Sequence, residues 1–193
     1  MRDIDVRTAL HATLFAMHMQ DLDNTRFVDE LDLCGEVRVD VAVINGSLSG
    51  YELKSAKDNL RRLPKQTEFY SKILDYSSLV VAENHHAAAL DIIPDWWGVT
   101  VAVSGDDGIV ELESLREPTF NPAIDTRFLA RLLWRDELLE ELTLLGADKG
   151  VRSKPRRVLW DRLCDVASLD QIRPIVRQRL KSRTNWRADG ALS

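Results

Sequence analysis

Apolar and polar positions change period several times along this chain, and each change marks an element. From 5 to 20, DVRTALHATLFAMHMQ sets Val6, Leu10, Leu14 and Met17 at helical spacing, predicting an amphipathic helix with an acid near its start. TRFVDELDL (25–33) fits a short strand or a helix end equally well. EVRVDVAVI (36–44) alternates strictly, Val37, Val39, Val41 and Val43 against Arg38, Asp40, Ala42 and Ile44. Asn45-Gly46 is a turn signal, and SLSGYELKS (47–55) is the returning strand.

LPKQTEFYSKILD (63–75) opens with Pro64 near a first-turn position and predicts a helix with Phe69, Ile73 and Leu74 on one face. SSLVVAEN (77–84) reads as a buried strand, and HHAAALDII (85–93) as a helix ending before Pro94. Residues 97–115 predict a strand, a Gly/Asp turn and a second strand. Residues 121–146 predict one long helical region that Gly146 ends. A basic linker (147–157) and helices near 156–167 and 170–183 follow. This order predicts an α/β fold, a mixed sheet between helices over 1–146, with a basic helical C-terminal extension over 147–193.

Composition changes this picture in one respect. The net charge of −5 divides into −13 over residues 1–148 and +8 over 149–193. A basic end of this kind meets a polyanion, or the acidic part of its own chain or of a partner protein. No apolar run approaches the ~20 residues that span a bilayer, so no membrane association is expected. The absence of a secretory pattern predicts a cytoplasmic location. Cys34 and Cys164 have no metal-binding or disulfide spacing.

The hairpin holds the candidate chemistry. A two-residue loop would pair Ile44 with Ser47 and put Glu52 on the face away from Asp40. A three-residue loop, Asn45-Gly46-Ser47, pairs Ile44 with Leu48 and sets Asp40 across from Glu52, with Arg38 facing Lys54. Patterning favours the second: Val39, Val41, Val43, Tyr51 and Leu53 then share one apolar face, and Asp40, Glu52 and Lys54 the other. Facing carboxylates would lie about 4.5–5.5 Å apart at Cβ and repel. A Mg²⁺ or Mn²⁺ ion would offset this, since hard cations take one or two carboxylates plus water and phosphate oxygens. Metal-assisted phosphodiester hydrolysis is the corresponding reaction class. The alternative is a solvated cross-strand ladder of ion pairs among Arg38, Asp40, Glu52 and Lys54.

Asp40 followed by Glu52-Leu53-Lys54 on the next strand resembles the D…(D/E)xK signature of the PD-(D/E)XK nuclease superfamily, and most of the chain is similar to a small bacterial family placed in it. Val39 stands where the superfamily's name has Pro. The resemblance implies a restriction-endonuclease-like αβββαβ core, Asp40 and Glu52 on the metal, and Lys54 assisting the water. It implies an auxiliary role for Gln66, and an upstream acidic ligand for which Glu30 is a better candidate than Glu36. The implied activity is a Mg²⁺-dependent nuclease acting on nucleic acid, DNA before RNA, in repair, defence or a mobile element. The alternative is a silent nuclease-like module that binds nucleic acid, a protein partner or a second copy of itself.

Lys57, Arg61, Arg62 and Lys65 follow the hairpin and are candidate phosphate contacts, as are Arg156 and Arg157 in the basic extension. Trp160 and Trp186 could stack on bases there. His85-His86 reads as structural rather than ligating, Trp96-Trp97 as core or a subunit contact, and Trp134 as packing.

Overall fold

The computed structural model describes residues 1–105 and 108–184. Six strands form one mixed sheet in chain order: β1 (Arg26–Leu33), β2 (Val37–Ile44), β3 (Leu48–Lys54), β4 (Tyr76–Ala82), β5 (Gly98–Ser104) and β6 (Val110–Arg116). The first three make an antiparallel meander, β3, β4 and β5 run parallel, and β6 returns antiparallel. Helix α1 (Asp3–Met17) and a 3-10 turn (Met19–Asn24) precede the sheet. Helix α2 (Leu63–Ile73) joins β3 to β4, and α3 (Glu83–Leu90) joins β4 to β5. The segment 25–33, ambiguous in the sequence, is strand β1.

The two faces bury different sets of residues. Val6, Leu10 and Leu14 of α1 pack on Val41, Val43, Leu53, Val80 and Ala102. The larger cluster joins Ala42, Ile44, Leu48, Leu79 and Val81 of the other face to Leu63, Tyr70 and Ile73 of α2. The hairpin takes the three-residue loop, with Ile44 opposite Leu48 and Val41 opposite Tyr51.

Strict alternation fails at one step, and Val39 corrects the expectation that it shares a face with Val41. It packs with Leu31, Leu33 and Ala42 in the larger cluster, while Val41 faces α1. Strand β1 changes face at the same level, because Glu30 adopts φ +56° between Asp29, opposite Val41, and Leu31, opposite Val39. A non-glycine residue there stores strain of about 1–3 kcal/mol. This kink passes through Asp40.

The region 121–146 also departs from the sequence reading. It is two helices, α4 (Thr126–Ala130) and α5 (Arg135–Leu144), rather than one. The Asp125 carboxylate caps α4 by accepting from the Arg127 and Phe128 N–H groups. Glu137 restarts the chain as α5 by accepting from the Trp134 N–H at 2.7 Å. Helices α6 (Arg156–Val166) and α7 (Leu169–Ser182) put Leu159, Leu163, Ile172, Val176 and Leu180 into the larger sheet cluster. The core therefore runs unbroken across the 146/147 boundary.

Four arginines of the basic segment turn inward. Buried Asp75 accepts from the Leu48 N–H at 2.7 Å and pairs with Arg173 at 2.7 Å and Arg177 at 3.5 Å. Arg179 pairs with Glu140 and Glu141, and Arg183 with Glu137. Of the two readings of the positive segment, these residues follow the one in which it docks on the acidic part of its own chain. No helix is long and apolar enough to cross a membrane among the described residues.

Candidate functional site

Strand β3 carries Glu52 and Lys54 on the α2 face, and α2 brings Gln66 and Tyr70 down onto them. Pro64 in the first turn of α2 favours this start, and Gln66 and Tyr70 lie one turn apart on the buried side. Gly50 allows the close approach of the layers: a Cβ there would meet Leu74 Cδ1 at 2.4 Å and Val39 Cγ1 at 3.1 Å.

Glu52 is the hub, with 1% of its surface exposed. Its Oε1 accepts from the Lys54 ammonium and from Gln66 Nε2 at 2.5 Å. Its Oε2 is 2.6 Å from the Tyr70 hydroxyl, which also lies 3.0 Å from the Arg38 carbonyl. Lys54 donates to Gln66 Oε1 at 3.2 Å. Burial and the neighbouring Glu52 charge hold the Tyr70 phenol well above its usual range, so Tyr70 serves as a donor. Its ring stacks on buried Trp97, with centroids 5.4 Å apart.

Asp40 enters from the kink. Its Oδ2 accepts from the Leu53 N–H at 2.7 Å, placing the carboxylate beside the backbone between Glu52 and Lys54. Arg7 of α1 donates to the Asp40 carbonyl at 2.7 Å and lies 3.9 Å from its carboxylate. Burial first, then the Glu52 charge, push the Asp40 carboxyl up to about 7, against the pull of the Leu53 N–H, Lys54 and Arg7.

The solvated ladder of the alternative reading does not form. Arg38 reaches Glu30 at 3.9 Å, and the Glu52–Lys54 pair is buried within one strand. Glu30 is occupied by Arg7 at 3.2 Å and Arg38, and Glu36 by Lys65 at 3.2 Å. Among the described residues no three His, Cys, Asp or Glu side chains form a ready cluster for a metal. What Asp40 and Glu52 offer is a two-carboxylate set. Lys54, Gln66 and Tyr70 use three of the ~four lone-pair directions of Glu52, and Asp40 Oδ1 has only the distant Arg7. The remaining Glu52 lone pair and Asp40 Oδ1 are hard oxygen donors of the kind that a Mg²⁺ or Mn²⁺ ion takes, with water and phosphate completing its shell.

Lys57, Arg61 and Arg62 are exposed on the loop leading from Lys54 to α2, without a carboxylate partner among the described residues. Arg156 and Arg157 are exposed likewise. His85 and His86 stand at the start of α3, outside the site. Trp97 is core, and Trp134 lies under the Arg183 guanidinium. Trp186 lies outside the described residues. The sequence reading missed Tyr70 and Arg7. Tyr70 was signalled by its place four residues after Gln66, whereas nothing in the α1 pattern marks Arg7 as a partner of Asp40.

The profile of a family described as "Bacteriophage P4 protein cII" matches residues 6–190. The chain is 26% identical to "Protein cII" of Enterobacteria phage P4, over all of this chain and 72% of that protein. Among solved structures, a protein of unknown function from Silicibacter pomeroyi aligns with a TM-score of 0.42 and 17% identity, covering 75% of this chain and 94% of that one.

Proposed function

The chain belongs to the bacteriophage P4 protein cII family, and on the geometry of its buried site we propose that it is a metal-dependent nuclease of the PD-(D/E)XK type, hydrolysing phosphodiester bonds in nucleic acid, with DNA the first candidate. One observation carries this reading: Asp40 and Glu52 share a buried field beside Lys54, held by the N–H of the residue between Glu52 and Lys54. The helix–meander–helix–strand order from α1 to β4 is consistent with it.

Asp40 and Glu52 would hold the ion, which when bound supplies Lewis acidity and an acidified water. Lys54 places a positive charge where a phosphoryl oxygen gains negative charge, and Gln66 keeps its ammonium aimed there. Tyr70 fixes the Glu52 carboxylate. Arg7 holds the Asp40 backbone so that its side chain stays turned toward β3. Lys57, Arg61 and Arg62 would bind backbone phosphates at the rim.

A second reading rests on the same hub. Glu52 already accepts from three donors and is almost sealed, an arrangement that a catalytically silent module binding nucleic acid or a partner protein would also keep. Incubating the purified chain with Mg²⁺ or Mn²⁺ and single- or double-stranded DNA or RNA separates the two. Cleavage that Asp40→Asn and Lys54→Met abolish supports the nuclease. Intact Mn²⁺ binding with no cleavage above those variants transfers the case to the silent module.

A further inference from the structure

Cations and aromatic rings alternate along one side of the helical layer. Lys65 and Lys72 of α2 lie 5.6 and 4.8 Å from the centre of the Phe69 ring, and Lys72 also lies 4.7 Å from that of Phe128 on α4. Arg131, just past α4, spans Phe128 and the Trp160 ring of α6 at 5.0 and 5.9 Å. Arg156 continues the series 5.1 Å from Trp160. The series starts next to Gln66. It follows the β1–β2 turn, where Arg131 donates to the Cys34 carbonyl at 3.4 Å and Glu36 pairs with Lys65.

Arg131 and Arg156 differ from the arginines of α7 and its C-terminal cap. Arg173, Arg177, Arg179 and Arg183 are neutralised by Asp75, Glu140, Glu141 and Glu137. Arg131 and Arg156 have no carboxylate partner among the described residues, and what backs them is the Trp160 indole. A guanidinium supported on a ring keeps its full charge for a phosphate and offers its outer plane to a base. Lys65 and Lys72 carry only exposed pairs with Glu36 and Glu68, which screening makes weak.

We propose that this series is a docking track for single-stranded nucleic acid, delivering it to the Asp40–Glu52–Lys54 site; the delivery rests on the nuclease reading of that site. Single strands are favoured because they expose base faces to half-buried Trp160 and Phe128 and to the ring-backed guanidiniums, whereas a duplex hides them.

The test measures binding without metal, so that cleavage plays no part. Anisotropy of a labelled oligothymidylate in EDTA is followed against salt for the wild type and the Arg131→Gln/Arg156→Gln variant, with thermal melts checking the fold. The variant should bind at least about tenfold more weakly, with a log–log salt slope smaller by about 1.4, since each phosphate contact on a single strand contributes ~0.7. Should that variant fail to fold, Arg156→Glu, a change on an exposed side chain, carries the same expectation of weaker binding. Heparin, a base-free polyanion, and duplex DNA should compete less well than unlabelled oligothymidylate. Unchanged affinity in the variants, equal competition by heparin, or preference for duplex overturns the track. Cleavage with metal present despite such a failure would leave the nuclease reading standing, and binding without cleavage would keep the track while sinking that reading.

Discussion

The Asp40 carboxylate accepts the Leu53 backbone N–H at 2.7 Å, just beyond the point where the β2–β3 ladder ends at Val41 and Tyr51. A side chain takes over from a strand at this point. The contact is to the residue between Glu52 and Lys54, so the spacing of the three chemical groups is set by backbone rather than by flexible side chains. The kink at Glu30 and Asp40 makes this geometry available.

Asp40 should make the protein less stable as pH rises. Its folded carboxyl is pushed up to about 7, above the unfolded value of ~3.9. Between about pH 4 and 7 the folded state therefore binds the proton that the unfolded state has lost, and stability falls across that window. The loss is of the order of 4 kcal/mol at most, at 1.36 kcal/mol per unit. Asp40→Asn keeps an acceptor for Leu53 and should flatten the difference between urea melts at about pH 5 and about pH 8. Parallel pH dependence in the variant would refute the assignment.

Lys54 and Glu52 should be strongly coupled. Lys54→Met leaves a buried carboxylate without its cation, at a cost of about 3–5 kcal/mol. Adding Glu52→Gln should recover most of that stability. Denaturant unfolding of the two single variants and the double variant measures the coupling; additive losses would show that the pair does not act as a unit.

Tyr70→Phe should cost about 1–3 kcal/mol, by removing the donor to a buried Glu52 oxygen. The same change opens a lone pair on Glu52. Mn²⁺ titration followed by electron paramagnetic resonance should then show tighter binding than in the wild type. Weaker binding would mean that Tyr70 positions Glu52 more than it blocks it.

Asp75→Ala should loosen the C-terminal helix. It strips the Leu48 N–H of its acceptor and Arg173 and Arg177 of their carboxylate, costing about 2–4 kcal/mol. Hydrogen exchange should rise first along α7. Protection equal to the wild type there would place the anchoring in Ile172, Val176 and Leu180 alone.

Cys34 should resist alkylation. Burial pushes its thiol up to about 11, so roughly one molecule in a thousand carries the thiolate at about pH 8. Iodoacetamide labelling followed by mass spectrometry should be far slower than for a free thiol, and rapid labelling would contradict the burial.

Much of the architecture was legible in period and punctuation. The hairpin register followed from the side-chain alternation of Val41, Val43, Tyr51 and Leu53, and Gln66 was placed by the helix that Pro64 begins. The break between α4 and α5 was not legible, because an apolar stripe at helical spacing continues across it. A local cap, Glu137 on the Trp134 N–H, restarts the helix there. Val39 was misplaced because alternation assumes an unkinked strand, and the left-handed Glu30 lies on a different strand.

By itself the sequence determined most of the succession of strands and helices, the turn that brings Asp40 to the Glu52 level, and the overall division of charge. These depend on neighbours along the chain, where periodicity and turn chemistry act. Only the tertiary structure decided that Arg7 grips Asp40 from another layer, that Tyr70 closes over Glu52, and that Arg173, Arg177, Arg179 and Arg183 are spent on Asp75 and the acids of α5 while Arg131 and Arg156 stay without a carboxylate. Those contacts join residues tens of positions apart, and burial sets their strength, so no pattern in a linear window encodes them.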